Sequence, residues 1–143
     1  MTRIGLLLCA ALLAGCALSE PADPEAAAER DEIRFHIDKL PDRTHVRTYG
    51  DADNPRPWYI AAEALGQIGK PAIPALVQRL DTPDPYELKL VLYALMLASQ
   101  DPVLQAETGG DHLRLGTVLT EDGNAENRRL AREWWQRHRH LWP

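Results

Sequence analysis

The sequence predicts an all-α protein, a short α-solenoid of helical hairpins that ends in a C-terminal capping helix. Three observations favour this fold class. Apolar residues recur at helical spacing and repeat forty residues later, prolines and acidic residues stand where helices would begin, and residues 57–98 show no alternation of period two. The chain has 143 residues, of which 45% are hydrophobic and 26% are charged, and this composition is that of one ordinary globular domain.

The internal repeat pairs two apolar triplets, each spaced i, i+4, i+7 along a predicted helix. The two triplets are Ile33, Ile37 and Leu40, and then Ile73, Val77 and Leu80. A second helix with an Ala-Leu pair follows each triplet, at residues 64–65 and again at residues 94–95. The first copy is longer because of an insertion at about residues 42–54. Asp51 and Asp53, with Asp42 nearby, form an acidic loop inside it, which we interpret as a solvated turn.

Local signals place the first two helices. Asp23 followed by Pro24 is typical of an N-cap and the first helical position, so the first helix is expected to begin there. A second helix is predicted from about Pro57 to Ile68. Gly69 then occupies the position after a helix where a positive φ is tolerated.

The next two helices follow the same logic. Residues 71–80 predict a third helix that begins with proline. Asp84, Pro85 and Glu87 predict the start of a fourth helix, with an N-cap, a proline in the first turn and a variant of the capping box. The Asp-Pro pair that begins at Asp101 is expected to end this helix.

The C-terminal part shows no repeat. We interpret residues 100–110 as a loop and expect a short helix over residues 111–119. A final helix is predicted over residues 124–140, capped by its asparagine. Trp134 and Trp135 on this helix would close the open end of the core, or alternatively bind a sugar ring or a partner.

Residues 58–98 are similar to the HEAT-like repeats of bacterial proteins. The resemblance is carried by AAEALGQIG at residues 61–69, by PAIPAL at residues 71–76, and by residues 81–85 before the next helix. It implies two full repeats with flanking capping helices over residues 31–143. Residues 31–57 match the family less well, because the Val-Arg pair that usually begins the next helix stands inside the insertion.

The first fifteen residues predict a cleaved lipoprotein signal peptide. Arg3 precedes an apolar run at residues 4–13 that is too short to span a membrane as a helix. The run ends in the sequence LAGC at residues 13–16, which resembles the lipobox of bacterial lipoproteins.

The lipobox resemblance implies a lipid anchor and an address. The thiol of Cys16 would carry the diacylglyceryl group, and residues 16–30 would tether the helical domain to the membrane. Ala17 in place of Asp favours the outer membrane over the inner one, so we expect the protein at the periplasmic face of the outer membrane.

Composition and motifs argue against several classes of function. The formal net charge of −5 argues against nucleic-acid binding, which needs surplus Lys and Arg. Neither serine, Ser19 or Ser99, stands in a nucleophile motif. We therefore expect no enzymatic activity and no cofactor.

Metal-ligand patterns are weak. The five histidines include no pair at i, i+4, and we expect no metal site among them. An EF-hand-like set carries Asn127 where the loop needs glycine, and we interpret it as the start of the last helix. The members of that set are Asp122, Asn124, Glu126 and Glu133.

The sequence thus predicts a non-enzymatic, lipid-anchored module that presents a surface to another envelope protein. The residues proposed for this surface are Trp58, Tyr86, Trp134 and Trp135. Two alternatives stay open, a lipoprotein that senses a cation or a glycan, and an accessory to an envelope enzyme.

Overall fold

A computed structural model describes residues 23–143; the predicted signal peptide, Cys16 and the first part of the tether lie outside the described residues. The described part is mostly helical, in agreement with the predicted class. Its helices are α1 (Pro24–Lys39), α2 (Ile60–Ile68), α3 (Ile73–Gln78), α4 (Pro85–Ala98), α5 (Pro102–Thr108) and α6 (Asn124–His138). Its two strands are β1 (Val46–Tyr49) and β2 (Arg56–Tyr59).

Helix α4 is the centre of the core. It packs against α2, α3 and α6, while α1 packs against α2 and α3. The two leucines of the Ala-Leu pairs, Leu65 on α2 and Leu95 on α4, are both buried. Five of the six triplet residues are buried as well, and Val77 is half-buried. The predicted apolar stripes therefore form one continuous core.

Three helices begin at an aspartate whose side chain accepts a hydrogen bond from a backbone N–H two residues later: Asp23, Asp84 and Asp101. The sequence predicted the first two as N-caps, whereas Asp101 with Pro102 was expected only to end the preceding helix. The expected capping box does not form, because Glu87 turns away from the N-cap. Its carboxylate instead accepts from Thr82 Oγ1 at 2.6 Å and pairs with Arg79 Nε at 2.8 Å.

The first correction concerns residues 46–59, which form an antiparallel hairpin instead of a turn followed by a helix. Strands β1 and β2 pair Val46 with Tyr59 and Tyr49 with Arg56, and α2 begins only at Ile60. The prolines at positions 55 and 57 explain the difference, since each drives its preceding residue toward extended backbone.

The predicted acidic turn is the loop that joins the two strands. Gly50 adopts φ +93°, where a Cβ would lie 2.6 Å from the carbonyl oxygen of Asn54. Asp51 Oδ1 accepts a hydrogen bond from Asn54 N at 2.9 Å. Its carboxylate thus shapes the turn, as short polar side chains commonly do.

The second correction concerns the segment after α4, where helix and loop are exchanged. Residues 102–108 form α5, because Asp101 caps it and Pro102 fits its first turn. The segment 111–119, predicted to be helical, is irregular. Side chains replace the missing helical hydrogen bonds, since Asn127 accepts from Gly116 N and donates to Thr117 O.

Helix α6 also differs in its cap. The Asn124 side chain does not cap the helix but donates to Pro85 O at 2.9 Å, which joins α6 to the start of α4. The arginines of α6 form ion pairs with Asp81, Asp111, Glu126 and Glu133.

No helix within residues 23–143 combines the length and the hydropathy that a membrane crossing requires.

Candidate interaction surface

All four tyrosines of the chain and Trp58 gather where the hairpin lies beside α4. Tyr49 and Trp58 meet edge to face with ring centroids 6.0 Å apart, and Tyr59 and Tyr86 meet similarly at 6.4 Å. Four cations accompany these rings. We call the whole set the aromatic–cationic surface: Arg43, Arg47, Tyr49, Arg56, Trp58, Tyr59, Tyr86, Lys89 and Tyr93.

The strand register places two arginines and two aromatic residues on one face of the hairpin. Arg47 lies opposite Trp58, and Tyr49 lies opposite Arg56. Since residues two apart on a strand point to the same side, these four side chains alternate between cation and ring across the face. Tyr49 is 49% exposed and Trp58 39%, so both rings are open to solvent.

Tyr86 stands between two cations at the start of α4. Arg43 Cζ lies 4.6 Å and Lys89 Nζ 4.7 Å from the centroid of its ring. Arg43 is fixed in place by Asp84, whose Oδ1 accepts from Arg43 Nη2 at 2.9 Å. Burial raises the pKa of the Tyr86 hydroxyl, so this ring stays neutral between its cations at neutral pH.

Tyr93 joins the hairpin to the outer side of α2 and α4. Its hydroxyl donates to Glu63 Oε1 at 2.7 Å. Burial and this hydrogen bond raise the pKa of Tyr93 to about 12, and the nearby Tyr49 adds to the shift. The hydroxyl therefore remains a donor at every physiological pH, and its partner Glu63 is held at the edge of the surface.

Three of the four cations have no acidic partner among the described residues. Arg47, Arg56 and Lys89 form no ion pair within residues 23–143, whereas Arg43 pairs with Asp84. Neither strand contains an acidic residue. Three cations of the surface are therefore free to pair with carboxylates of a partner, although Glu63 lies at its edge and Asp51 in the loop between its strands.

The structure separates the four residues that the sequence predicted for an interaction surface. Trp58 is exposed and Tyr86 half-buried, and both belong to the aromatic–cationic surface. Trp134 is 1% exposed, so placing it on a surface is wrong. Trp135 is half-buried, with its ring centroid 5.1 Å from that of Trp142.

Sequence reasoning missed Tyr49, Tyr59 and Tyr93 as surface residues. The hairpin carries the signal that could have found them, because Arg-x-Tyr at residues 47–49 and Arg-x-Trp at residues 56–58 alternate on either side of a turn. Each strand is only four residues long and almost fully exposed. The usual mark of a strand, an apolar residue at every second position, is therefore absent.

One pair elsewhere resembles part of a catalytic site. His138 Nε2 lies 2.6 Å from Asp111 Oδ2, and this hydrogen bond is the main reason why the pKa of Asp111 is lowered. Among the described residues, no hydroxyl or thiol is hydrogen-bonded to His138. The pair instead fastens the irregular segment after α5 to the last helix.

Ser99 is buried and committed to structure. Its Oγ donates to Met96 O at 2.9 Å and accepts from Leu113 N at the same distance. Within residues 23–143, no group of three His, Cys, Asp or Glu side chains is arranged to hold a metal ion. In the EF-hand-like set, Glu126 and Glu133 both pair with Arg129.

An open groove of about 490 Å³ lies between α1 and α3. Arg30, Arg34 and Arg79 stand around an apolar floor that includes Ile33 and Ile37. Two of the three arginines already have acidic partners, Asp31 for Arg34 and Glu87 for Arg79. The groove thus offers less free charge than the aromatic–cationic surface does.

Comparison with known proteins yields no relative: no family model, no curated protein and no solved structure matches this chain.

Proposed function

We propose that this chain is a lipid-anchored, non-enzymatic interaction module of the bacterial envelope. Its HEAT-like helical hairpins would form a short α-solenoid, with α6 as the capping helix, that presents the aromatic–cationic surface to another envelope protein. The lipid on Cys16 would keep that surface close to the membrane, at the periplasmic face of the outer membrane.

One observation carries the interaction role: exposed Tyr, Trp and Arg side chains are concentrated in a single place. Tyr49, Trp58, Arg47 and Arg56 share one face of the hairpin. Tyr, Trp and Arg are the residue types that contribute most to binding energy at protein interfaces. A ring such as Trp58 supplies a large contact area while losing little side-chain entropy.

The helical pairing supports the HEAT-like part of the proposal. Helices α1 and α2 pack together, α3 packs on α4, and α2 lies against α4. This packing is what two helical hairpins placed side by side would give. Because two hairpins alone bury little apolar surface, the capping helix α6 would complete the core.

The interaction role is tested by crosslinking in intact envelopes followed by purification of the protein. Wild-type protein should capture a specific envelope protein, and Trp58→Ala or Tyr49→Ala should lose it. Val103→Ala is the matched control, because Val103 is an apolar side chain on α5 that is 63% exposed outside the surface. Equal capture by all variants would contradict the proposal, and so would no capture by wild type.

The lipid anchor is tested separately with Cys16→Ser. This variant should accumulate as an unprocessed precursor, fail to incorporate labelled acyl chains, and leave the fraction that detergent extracts from membranes. Cys9→Ser is the control, since Cys9 lies inside the apolar run and is expected to be discarded. Unchanged processing and labelling of Cys16→Ser would refute the anchor.

A further inference from the structure

We infer that the aromatic–cationic surface recognises an extended acidic segment of its partner protein, with carboxylates on alternate residues. This inference rests on the proposed interaction role and adds the chemical class of the partner. It is carried by the positions of the free arginines, by the rings between them, and by the open edges of the hairpin.

The spacing of the two free arginines, Arg47 and Arg56, matches that of alternate residues in an extended chain. Arg47 and Arg56 stand on the same face at diagonal positions of the strand pair. Diagonal neighbours in an antiparallel pair lie about 7–8 Å apart. Alternate residues of an extended chain lie about 7 Å apart and point to the same side. Two carboxylates in that pattern can therefore meet one arginine each.

The second step is the pair of rings beside these arginines. Tyr49 and Trp58 occupy the other two corners of the same four-residue set and touch each other edge to face. They offer an apolar surface to the peptide backbone between the two carboxylates. Arginine bound to a carboxylate by two parallel hydrogen bonds fixes the register of such a chain.

The aromatic–cationic surface also offers positive charge to a partner. Arg47, Arg56 and Lys89 have no acidic partner among the described residues, and the strands that carry the arginines contain no acidic residue. An acidic chain would supply the missing negative charge. The three cations lie on three different elements, β1, β2 and α4.

The fourth step is the backbone of the hairpin. Its sheet has two strands, so each strand has one edge that no described strand pairs with. An extended segment can lie along such an edge and add main-chain hydrogen bonds to the side-chain contacts. The open strand edges and the spacing of the two arginines both favour an extended peptide over a helical one.

The experiment uses the mature lipidated protein in detergent and short synthetic peptides labelled with fluorescein. The first peptide carries Glu at alternate positions among small apolar residues. The second has the same composition with its Glu residues in adjacent pairs, and the third has Gln in place of Glu. Fluorescence anisotropy measures the dissociation constant of each peptide.

The alternate-Glu peptide should bind most tightly, and added salt should weaken it, because exposed charge pairs are screened. Arg47→Gln and Arg56→Gln should each weaken it about tenfold, as expected for a lost charge-assisted hydrogen bond. The matched control is Arg114→Gln with Arg139→Gln, two exposed arginines without an ion pair among the described residues. This control should leave binding unchanged.

Three results would overturn the inference: equal binding of the Gln peptide, equal binding of the paired-Glu peptide, or unchanged binding by the double variant Arg47→Gln/Arg56→Gln. Tight binding of polyphosphate or an anionic glycan without binding of the peptide would do the same. Envelope crosslinking separates the two proposals. If the double variant still captures the partner that Trp58→Ala loses, the acidic segment is wrong and the interaction role stands.

Discussion

The hairpin and the C-terminal helix each carry a cluster of aromatic residues, and the two clusters differ in what covers them. At the hairpin, Tyr49 and Trp58 are exposed beside free arginines. At the C-terminus, Trp134 lies in the core, with Trp142 and His138 against its ring at centroid distances of 6.3 and 5.1 Å. The same class of side chain thus contributes mainly to stability in one place and is free to contact a partner in the other.

The difference shows how burial divides the roles of aromatic residues. A ring that is buried in the core stabilises the folded state because its apolar surface is removed from water. An exposed ring loses its contact with water only when a partner binds, so its burial can stabilise the complex instead. The C-terminal cluster is also fastened to the body, because Trp142 Nε1 donates to Lys70 O at 3.1 Å. Four experiments test whether the two clusters differ in their contribution to stability.

The largest effect is expected from truncation after Gly123, which removes α6 and the whole C-terminal cluster. Helix α6 packs on the central helix α4, so its loss would expose the side of α4 that Trp134 and Ala131 help to cover. We expect loss of cooperative unfolding in urea and of the near-ultraviolet circular dichroism. A truncated chain that still unfolds in one sharp transition would show that the cluster is dispensable.

A single substitution in each cluster tests the contrast directly. Trp134→Ala should lower the free energy of unfolding by about 3–5 kcal/mol, because it leaves a large cavity in the core. Trp58→Ala should change it by no more than about 0.5 kcal/mol, as is usual for exposed sites. Urea unfolding measures both. Similar losses for the two variants would remove the distinction between core and surface.

The core that the C-terminal cluster joins can be tested at Leu65 and Leu95, the positions that the two proposed hairpins make equivalent. Leu65→Ala and Leu95→Ala should each cost about 2–5 kcal/mol, since both side chains are fully enclosed. Each variant should still unfold in a single transition with an unchanged urea slope. A harmless change at either site would contradict the pairing of the two hairpins.

A smaller effect than that of the core substitutions is expected from Asp111→Asn, which weakens the contact between residues 111–119 and the C-terminal helix. The pKa of Asp111 is lowered in the folded state, so its ionised form adds stability above the unfolded value of 3.8. Since the carboxylate is partly exposed, we expect a loss of about 1 kcal/mol at pH 7. The gap between wild type and variant should close as pH falls below 3.8. A gap that is unchanged down to pH 2 would exclude this mechanism.

The sequence predicted two helix starts from strong local signals. Asp23 and Asp84 were identified because a short acidic side chain followed by proline satisfies the first turn without tertiary help. The same signal at Asp101 was interpreted only as a helix end, so α5 was missed. The sequence did not predict that residues 111–119 are irregular. That segment is held by Asn127, which lies on another element, and no local pattern records such a contact.

The candidate site was harder to predict than the core. Trp58 and Tyr86 were identified by residue type alone, but Trp134 satisfied the same criterion and is buried. Tyr93 belongs to the aromatic–cationic surface only because α4 lies beside the hairpin in the folded protein. The two elements are far apart along the chain, so no local pattern indicates this contact. Which ring faces solvent therefore depends on the tertiary fold. Even adjacent positions on one helix point in different directions, so one can be buried while its neighbour is not.

The most direct test of the contrast is acrylamide quenching in two single-tryptophan variants, one that retains Trp58 and one that retains Trp134, with the other tryptophans replaced by phenylalanine. We predict red-shifted, readily quenched emission from Trp58. From Trp134 we predict blue-shifted, protected emission that moves red on unfolding in urea. Equal quenching of the two residues in the folded protein would contradict the division between a core cluster and a binding cluster.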